Sequence, residues 1–274
     1  MPELPEVETF RMYLLQGNDG SPSILGKKIN DAELLWERTL AYPSPAEFLS
    51  NIKGQFVTGI GRRGKHLLIR LSKDTLIIHL RMSGELKVEE KTAPIGKHYR
   101  LILNFNDQYR FAFNNIRKFG RIWLTETPED QLANLGPEPL SDEFTSDQLF
   151  QLLQSRNRQI KYFLLDQEII AGIGNIYTDE ALHRARIHPS IKSDTLTYHQ
   201  AQDLWKSIRE VLQEGIKNQG SSIDWMYQGG DYQKYLSVYN LEGEPCSTCK
   251  TPVERIKIAQ RSTYFCPTCQ PPPV

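Results

Sequence analysis

Four stretches of this sequence have residue types and spacings that suit chemistry. The first is the opening run Met1-Pro2-Glu3-Leu4-Pro5-Glu6-Val7-Glu8. With Met1 removed, which the small Pro2 side chain permits, Pro2 presents a free secondary amine. Such an amine attacks an aldehyde to give an iminium ion, which stays positive without prior protonation and acidifies the neighbouring C–H bonds. Glu3 stands beside it as a candidate general acid or base. The positive end of a helix beginning here suits Glu3, Glu6 and Glu8. It disfavours a protonated amine, so Pro2 is expected to be more nucleophilic than an ordinary terminus of pKa about 7.7–8.0. A proline-rich helix start with acidic caps accounts for the same residues without chemistry.

The second stretch is the pair Cys246-x2-Cys249 and Cys266-x2-Cys269, sixteen residues apart and using every cysteine in the chain. Thiolate pairs at this spacing close a tetrahedral zinc site, one ion per chain, with no open position for catalysis. Two disulfides are the alternative, disfavoured in a cytoplasmic protein. The third is Ala171-Gly172-Ile173-Gly174-Asn175-Ile176-Tyr177, two glycines ahead of a helix with Asn175 as a good N-cap. Free N–H groups at a helix start bind anions, a DNA phosphate among them, although a tight turn between helices explains the pattern equally well. The fourth is Gly61-Arg62-Arg63-Gly64-Lys65, which places Lys65 at the start of an apolar strand, in a rigid, edge-exposed position. A phosphate contact and a merely solvated lysine both fit it.

Behind these stretches lie the elements that must position them. Leu4, Val7, Tyr13 and Leu14 share a helical face, and Pro5 is tolerated only in a first turn. Residues 24–36 read as extended and 45–52 as a short helix. The β-rich runs 56–60, 66–71, 75–80, 99–105, 109–114 and 121–125, separated by turn signals, predict a sandwich or barrel. Residues 127–143, with Pro128, Gly136, Pro137 and Pro139, read as a linker. The second half turns helical at 146–154, 160–165, 175–185 and 199–218, with a further turn or two expected over 221–227, and the cysteine-bearing tail follows.

The chain has 274 residues, enough for two domains, and 39% hydrophobic residues mark it as globular. No apolar run approaches the roughly 18–20 residues of a membrane span, and the acidic helical start is no signal peptide, so a cytoplasmic location is expected. The formal net charge is +0 and the pI about 7.0, which does not advertise a nucleic-acid binder. Its distribution says more. Between Arg62 and Arg121 basic residues outnumber acidic ones, whereas 122–155 contains no Lys or Arg. One basic face on a neutral molecule follows.

Taken together, the opening octet, the glycine–asparagine turn and the segments Gly243-Glu244-Pro245-Cys246 and Ala259-Gln260-Arg261-Ser262-Thr263 resemble the formamidopyrimidine-DNA glycosylases. So do His79-Leu80-Arg81-Met82-Ser83-Gly84 and Asn114-Asn115-Ile116-Arg117-Lys118-Phe119-Gly120. The resemblance spans the whole chain, with the motifs in the family's order. It implies an α+β protein: an N-terminal β-sandwich with flanking helices over 1–126, a linker over 127–145, a helix–two-turns–helix domain over 146–235 and a zinc-finger hairpin over 236–274, with DNA in the cleft between.

The same resemblance implies a base-excision repair DNA glycosylase and AP lyase, a monomer acting on damaged double-stranded DNA with structural zinc and no soluble cofactor. Pro2, Glu3, Lys65 and Arg261 would be catalytic, and the lysine would bind phosphate at the lesion. Met82, Arg117 and Phe119 would fill the gap left by a flipped nucleotide, offsetting an unstacking cost of a few kcal/mol. By composition alone Met82 and Phe119 read as core residues and Arg261 as a solvated charge. His98 and Arg156 match phosphate contacts, and Lys161 with Asn175 would hold the backbone around the lesion. Two stretches depart from the family pattern. Residues 227–236 are shorter than the usual loop over a flipped purine, and Asn240-Leu241-Glu242 stands where a Gly-Arg-type turn is common; both bear on 8-oxoguanine. Endonuclease VIII-like specificity for oxidised pyrimidines is the alternative activity, against which Leu4-Pro5-Glu6-Val7-Glu8 argues. A non-catalytic DNA-binding protein of the same fold is the alternative from another class.

Overall fold

A computed structural model describes residues 1–18, 20–222 and 229–272. The chain divides into two compact units, one of residues 1–133 with 219–230, the other of 134–218 with 231–274.

In the first unit the opening helix α1 (Leu4–Gln16) is set by its ends. Glu3 is the N-cap, and Glu6, three residues on, accepts the Glu3 N–H in a capping box, with proline in the first turn where its missing N–H costs nothing. Gly17 stops the helix at φ 78, in a space where a Cβ would lie 2.7 Å from the Ser21 carbonyl oxygen. Leu4, Val7, Phe10 and Leu14 form the buried stripe, with Tyr13 at its margin. Phe10 belongs to this stripe although the sequence pattern did not include it.

After β1 (Ile29–Leu34), β2 (Leu40–Tyr42) and α2 (Pro45–Ile52) come β3 (Val57–Arg63), β4 (His66–Leu71), β5 (Thr75–His79), β6 (Gly84–Glu90), β7 (Tyr99–Phe105), β8 (Tyr109–Asn115), β9 (Arg121–Thr125) and the short helix α3 (Pro128–Leu132). They build a β-sandwich: a four-stranded sheet in the order β1-β7-β8-β6 and a five-stranded sheet in the order β2-β9-β5-β4-β3. Strand alternation sends Leu67, Ile69, Leu76 and Ile78 from one sheet, and Leu101, Leu103, Phe111 and Phe113 from the other, into one core with α1 and α2. Each such side chain contributes about 1.5–3 kcal/mol of burial. Strand β6 is an addition to the expected set. Only Leu86, Val88 and Gly84 of its seven residues are buried, so its sequence is too polar to announce a strand until β8 pairs with it.

In the second unit, α4 (Ser146–Gln154), α5 (Ile160–Leu165), α6 (Asn175–Arg184) and α7 (Tyr198–Lys217) precede a hairpin of β10 (Glu254–Ile258) and β11 (Arg261–Phe265). Helix α7 packs against α4 and α6, α5 packs against α6, and α6 packs against β11. Within the segment expected as a linker, Gly136 sits where a Cβ would meet the Ile169 backbone at 2.4 Å, and its N–H donates to the Gln167 carbonyl. Residues 223–228, which carry most of the helical turn expected over 221–227 and the first residues of the short 227–236 stretch, lie outside the described residues. No helix among the described residues is long and apolar enough to cross a membrane.

Candidate active site and metal centre

Pro2 and Glu3 are buried at the head of α1, Glu3 to 2% exposure. With Met1 ahead of it the Pro2 nitrogen is an amide, and it becomes an amine only when Met1 is removed. The three acids of the opening run have three different fates. Glu3 caps the helix. Glu6, also buried, is a clasp: Oε2 accepts the Glu3 N–H at 2.8 Å and Oε1 accepts the Ser221 N–H at 2.7 Å. Gly220 makes room for it, with φ +79 and a would-be Cβ 2.7 Å from the carboxylate. By sequence Glu6 reads only as a dipole partner. Its spacing of three from Glu3, the capping-box interval, was the available signal. Glu8 is opposed by burial, but Arg11 at 2.6 Å and Arg62 at 3.1 Å outweigh that and hold its carboxyl below the ordinary value.

Lys65 is not edge-exposed. It occupies the two-residue turn Gly64-Lys65 between β3 and β4 and is buried. Next to it His66 and His79 meet edge to face with centroids 4.6 Å apart. Burial holds His66 at about 4 and His79 well below its ordinary value, with the positive charges of Arg81 and Lys65 adding to the effect. The lysine therefore neighbours neutral rings.

Met82, Arg117 and Phe119 lie on two neighbouring loops and none is in the core. Met82 is 41% exposed and Phe119 55% exposed, which excludes the packing alternative; the Arg117 guanidinium reaches Met82 Sδ at 3.8 Å. A buried polar clasp joins the loops. The Arg117 N–H donates to Ser83 Oγ at 3.1 Å, and the Gly120 N–H donates to Asn115 Oδ1 at 3.2 Å. Asn115 Nδ2 reaches the Leu80 carbonyl at 3.4 Å. Arg81 at φ 54 and Lys118 at φ 59 take left-handed backbone, the kind of local strain that surrounding structure must enforce. Lys118 is seated on Trp36, its Nζ 3.8 Å from the ring centroid. His98 joins this neighbourhood, its carbonyl accepting the Asn115 N–H at 2.9 Å. Ser83, Asn115 and Trp36 were missed by sequence reasoning, since nothing local distinguishes them from ordinary polar and aromatic residues.

In the second unit Asn175 is not the N-cap. Gly174 is, and Asn175 is the first helical residue. The Asn175 side chain is drawn elsewhere: Nδ2 donates to the Ser262 carbonyl at 2.9 Å, while Oδ1 is buried without a hydrogen-bond partner among the described residues. Lys161 is fully buried. Its ammonium donates to Asp179 Oδ1 at 2.7 Å and to the Asn175 carbonyl at 3.1 Å, so it shapes the turn from inside. Asp179 Oδ2 accepts the Tyr264 N–H, and Glu180 accepts the N–H groups of Ser237, Val238 and Tyr239. Arg261 is exposed at the hairpin tip, one residue before Ser262, after a tight turn in which Ala259 and Gln260 both have positive φ. Arg156 is half-buried just beyond α4, where it donates to Ser155 Oγ at 2.9 Å.

The four cysteine sulfurs converge on one point, all within 4.8 Å of one another. Two disulfides would need two separated pairs. Zinc–thiolate bonds of about 2.3 Å in a tetrahedron place sulfurs roughly 3.8 Å apart, and Cys246 and Cys269 are 3.9 Å apart. The donor set fits one four-thiolate structural zinc held by Cys246, Cys249, Cys266 and Cys269.

Sequence models of the formamidopyrimidine-DNA glycosylase N-terminal domain, of the formamidopyrimidine-DNA glycosylase H2TH domain and of a zinc finger found in FPG and IleRS match residues 1–122, 135–226 and 243–272. The formamidopyrimidine-DNA glycosylase of Chloroflexus aurantiacus is 47% identical, over 98% of this chain and 98% of that protein. The protein of the same name from Pelotomaculum thermopropionicum is 43% identical over 98% of this chain and 99% of that one. Among solved structures, MutM in complex with DNA containing carbocyclic 8-oxo-G superposes with a TM-score of 0.91 at 37% identity, covering 99% of this chain and 100% of that one. A complex of the Lactococcus lactis enzyme with Fapy-dG-containing DNA superposes at 0.90 and 37% identity, over 98% and 100%.

Proposed function

The chain belongs to the formamidopyrimidine-DNA glycosylase family, and from that premise we propose how its residues divide the work. The protein is a base-excision repair DNA glycosylase whose partner is damaged double-stranded DNA. It works as a monomer in the cytoplasm of a bacterial-type cell, on oxidised purines of the kind carried by the DNA in those relatives' complexes. Met82, Arg117 and Phe119 enter the stack as the damaged nucleotide is flipped out. Their exposure on loops clasped by Ser83 and Asn115 supports this role, since large apolar side chains are otherwise buried.

Pro2, freed of Met1, then attacks C1′. The new N–C1′ bond replaces the glycosidic bond, and the base leaves with that bond's electron pair and a proton. Glu3 manages protons on the sugar as the ring opens to the iminium. Loss of the C2′ proton expels the 3′ phosphate, and a second elimination expels the 5′ phosphate, leaving a one-nucleotide gap. Lys65 assists these steps at the lesion phosphate and Arg261 assists the last. His98, Arg156 and Asn175 contact the DNA backbone. Lys161 acts through the Asn175 carbonyl rather than by touching DNA, in keeping with its burial. Zinc holds the hairpin that carries Arg261.

The observation that carries this reading is the immobilised head of α1: a buried Pro2-Glu3 pair whose backbone is fastened to Glu6, itself fastened to Ser221. Borohydride reduction in the presence of an abasic-site duplex tests it. Protein lacking Met1 is expected to form a covalent adduct, and protein retaining a residue ahead of Pro2 to form none while still binding. An adduct with the blocked protein would move the nucleophile elsewhere, with Lys65 first in line. No adduct with the processed protein would leave a DNA-binding protein without lyase chemistry.

A further inference from the structure

The zinc centre has a further neighbour on α6. His183 lies one turn after Asp179 and is buried to 7% exposure, with Nε2 at 3.4 Å from Cys246 Sγ. Cys246 is itself fully buried. Four thiolates around one Zn2+ leave a net charge of about minus two, and a buried anion of that kind needs N–H donors to offset lost hydration. Cys266 has one from its own knuckle, the Cys269 N–H at 3.5 Å. For Cys246 a nitrogen within reach among the described residues is His183 Nε2, which comes from outside the zinc segment altogether.

The ring is not a ligand by geometry. Among the described residues, the cluster in which every donor atom lies within 4.8 Å of the others contains the four sulfurs and no imidazole. Nor is the ring free to drift, because α6 is pinned to the zinc segment along its length. Asn175 holds Ser262, Asp179 holds Tyr264, and Glu180 holds the N–H groups of residues 237–239. A cavity of about 200 Å³ opens beside the centre, lined by His183, Arg184, Arg186 and Cys269 among others. It gives an anionic chelator a basic approach to the sulfurs.

We propose that His183 donates an Nε2–H···Sγ hydrogen bond to the Cys246 thiolate of the zinc-loaded protein, and that through this bond α6 sets how tightly the hairpin keeps its metal. His183 is thus a positioning residue for the metal centre. The proposal rests on the four-thiolate reading of that centre.

The test uses the full-length zinc protein. Metal analysis comes first: absence of zinc would overturn the four-thiolate reading and the proposal with it. In protein substituted with cadmium-113, a scalar coupling between the His183 Nε2–H proton and the metal, transmitted through the sulfur, is expected. With the metal in place, absence of that coupling overturns the hydrogen bond alone, as does a nitrogen ligand in the X-ray absorption spectrum. In parallel, zinc transfer to 4-(2-pyridylazo)resorcinol is timed. His183→Phe keeps the ring's bulk without the donor and is expected to speed transfer by about 10-fold or more, the usual scale for losing such a partner. His183→Gln restores an N–H and is expected to recover part of that loss. Equal transfer rates in the folded parent and His183→Phe proteins would refute the proposal.

Discussion

Replacing Lys161 by methionine separates two readings of this lysine. The resemblance has it holding the DNA backbone at the lesion, whereas the structure has its ammonium fully buried, 2.7 Å from an equally buried Asp179 carboxylate. A lysine that met a phosphate would, when removed, lower the salt dependence of DNA binding by about one unit of slope and leave the fold intact. A buried ion pair behaves differently. Losing one partner strands the other charge and costs about 3–5 kcal/mol. In a chain of this size that is a drop in Tm on the order of 10 °C.

Lys161→Met is therefore expected to be strongly destabilised in thermal and urea unfolding, with an unchanged salt slope in duplex binding measured well below its Tm. Lys161→Met/Asp179→Leu should recover part of that loss, because neither charge of the pair is left buried, although the Tyr264 N–H loses its acceptor. The pH dependence carries a further check. Burial pushes the Asp179 carboxyl up to about 7, with Lys161 pulling against it. Without the lysine the carboxyl titrates higher still. A carboxyl raised above its unfolded value near 3.9 binds a proton in the folded state that the unfolded state has lost, so folding gains as pH falls. The single variant should thus regain stability on acidification from about pH 8 towards about pH 6. A Lys161→Met protein with parental stability and a salt slope reduced by about one would refute the buried-pair argument.

Four other substitutions are informative. Phe119→Ala should impair binding and cleavage of intact lesion duplexes more than cleavage of a pre-formed abasic site, and Arg117→Ala should weaken discrimination of the opposite base; parental kinetics in both would place these side chains outside the stack. Gly220→Ala forces a Cβ to 2.7 Å from the Glu6 carboxylate at φ +79. It should cost about 1–3 kcal/mol in urea unfolding and slow borohydride trapping through Pro2. His66 is held at about 4 against an ordinary 6.5, so the unfolded chain takes up a proton first as pH falls. Stability should decline from about pH 6.5 to about pH 4 by on the order of 3 kcal/mol, and His66→Phe should flatten that decline in unfolding titrations.

What the sequence by itself determined was chemistry confined to a few neighbouring residues. A proline at position 2 ahead of an acidic helix start, a Cys-x2-Cys pair repeated after sixteen residues, the helix starts at Pro45, Ser146 and Asn175 and the turns at Ser72-Lys73-Asp74 and Asn106-Asp107 all depend on residues close in the chain. Contacts among such residues are present wherever the segment folds at all. The family resemblance extended that reach, by matching residues whose partners lie far away.

Tertiary structure decided whichever properties depend on distant segments. Glu6 becomes a clasp only because Ser221, 215 residues away, delivers its N–H. Lys65 reads as edge-exposed and Lys161 as a holder of the DNA backbone, yet both are buried in the fold; Asn175, expected as the N-cap, is the first residue inside the helix, and its amide donates to the Ser262 carbonyl. Met82 and Phe119 go the other way, apolar by type yet held in solvent by Ser83 and Asn115. The physical reason is common to all of them. A side chain's solvation and charge are set by what surrounds it in space, and desolvation in particular is a property of the packed fold rather than of the residue or its neighbours in sequence.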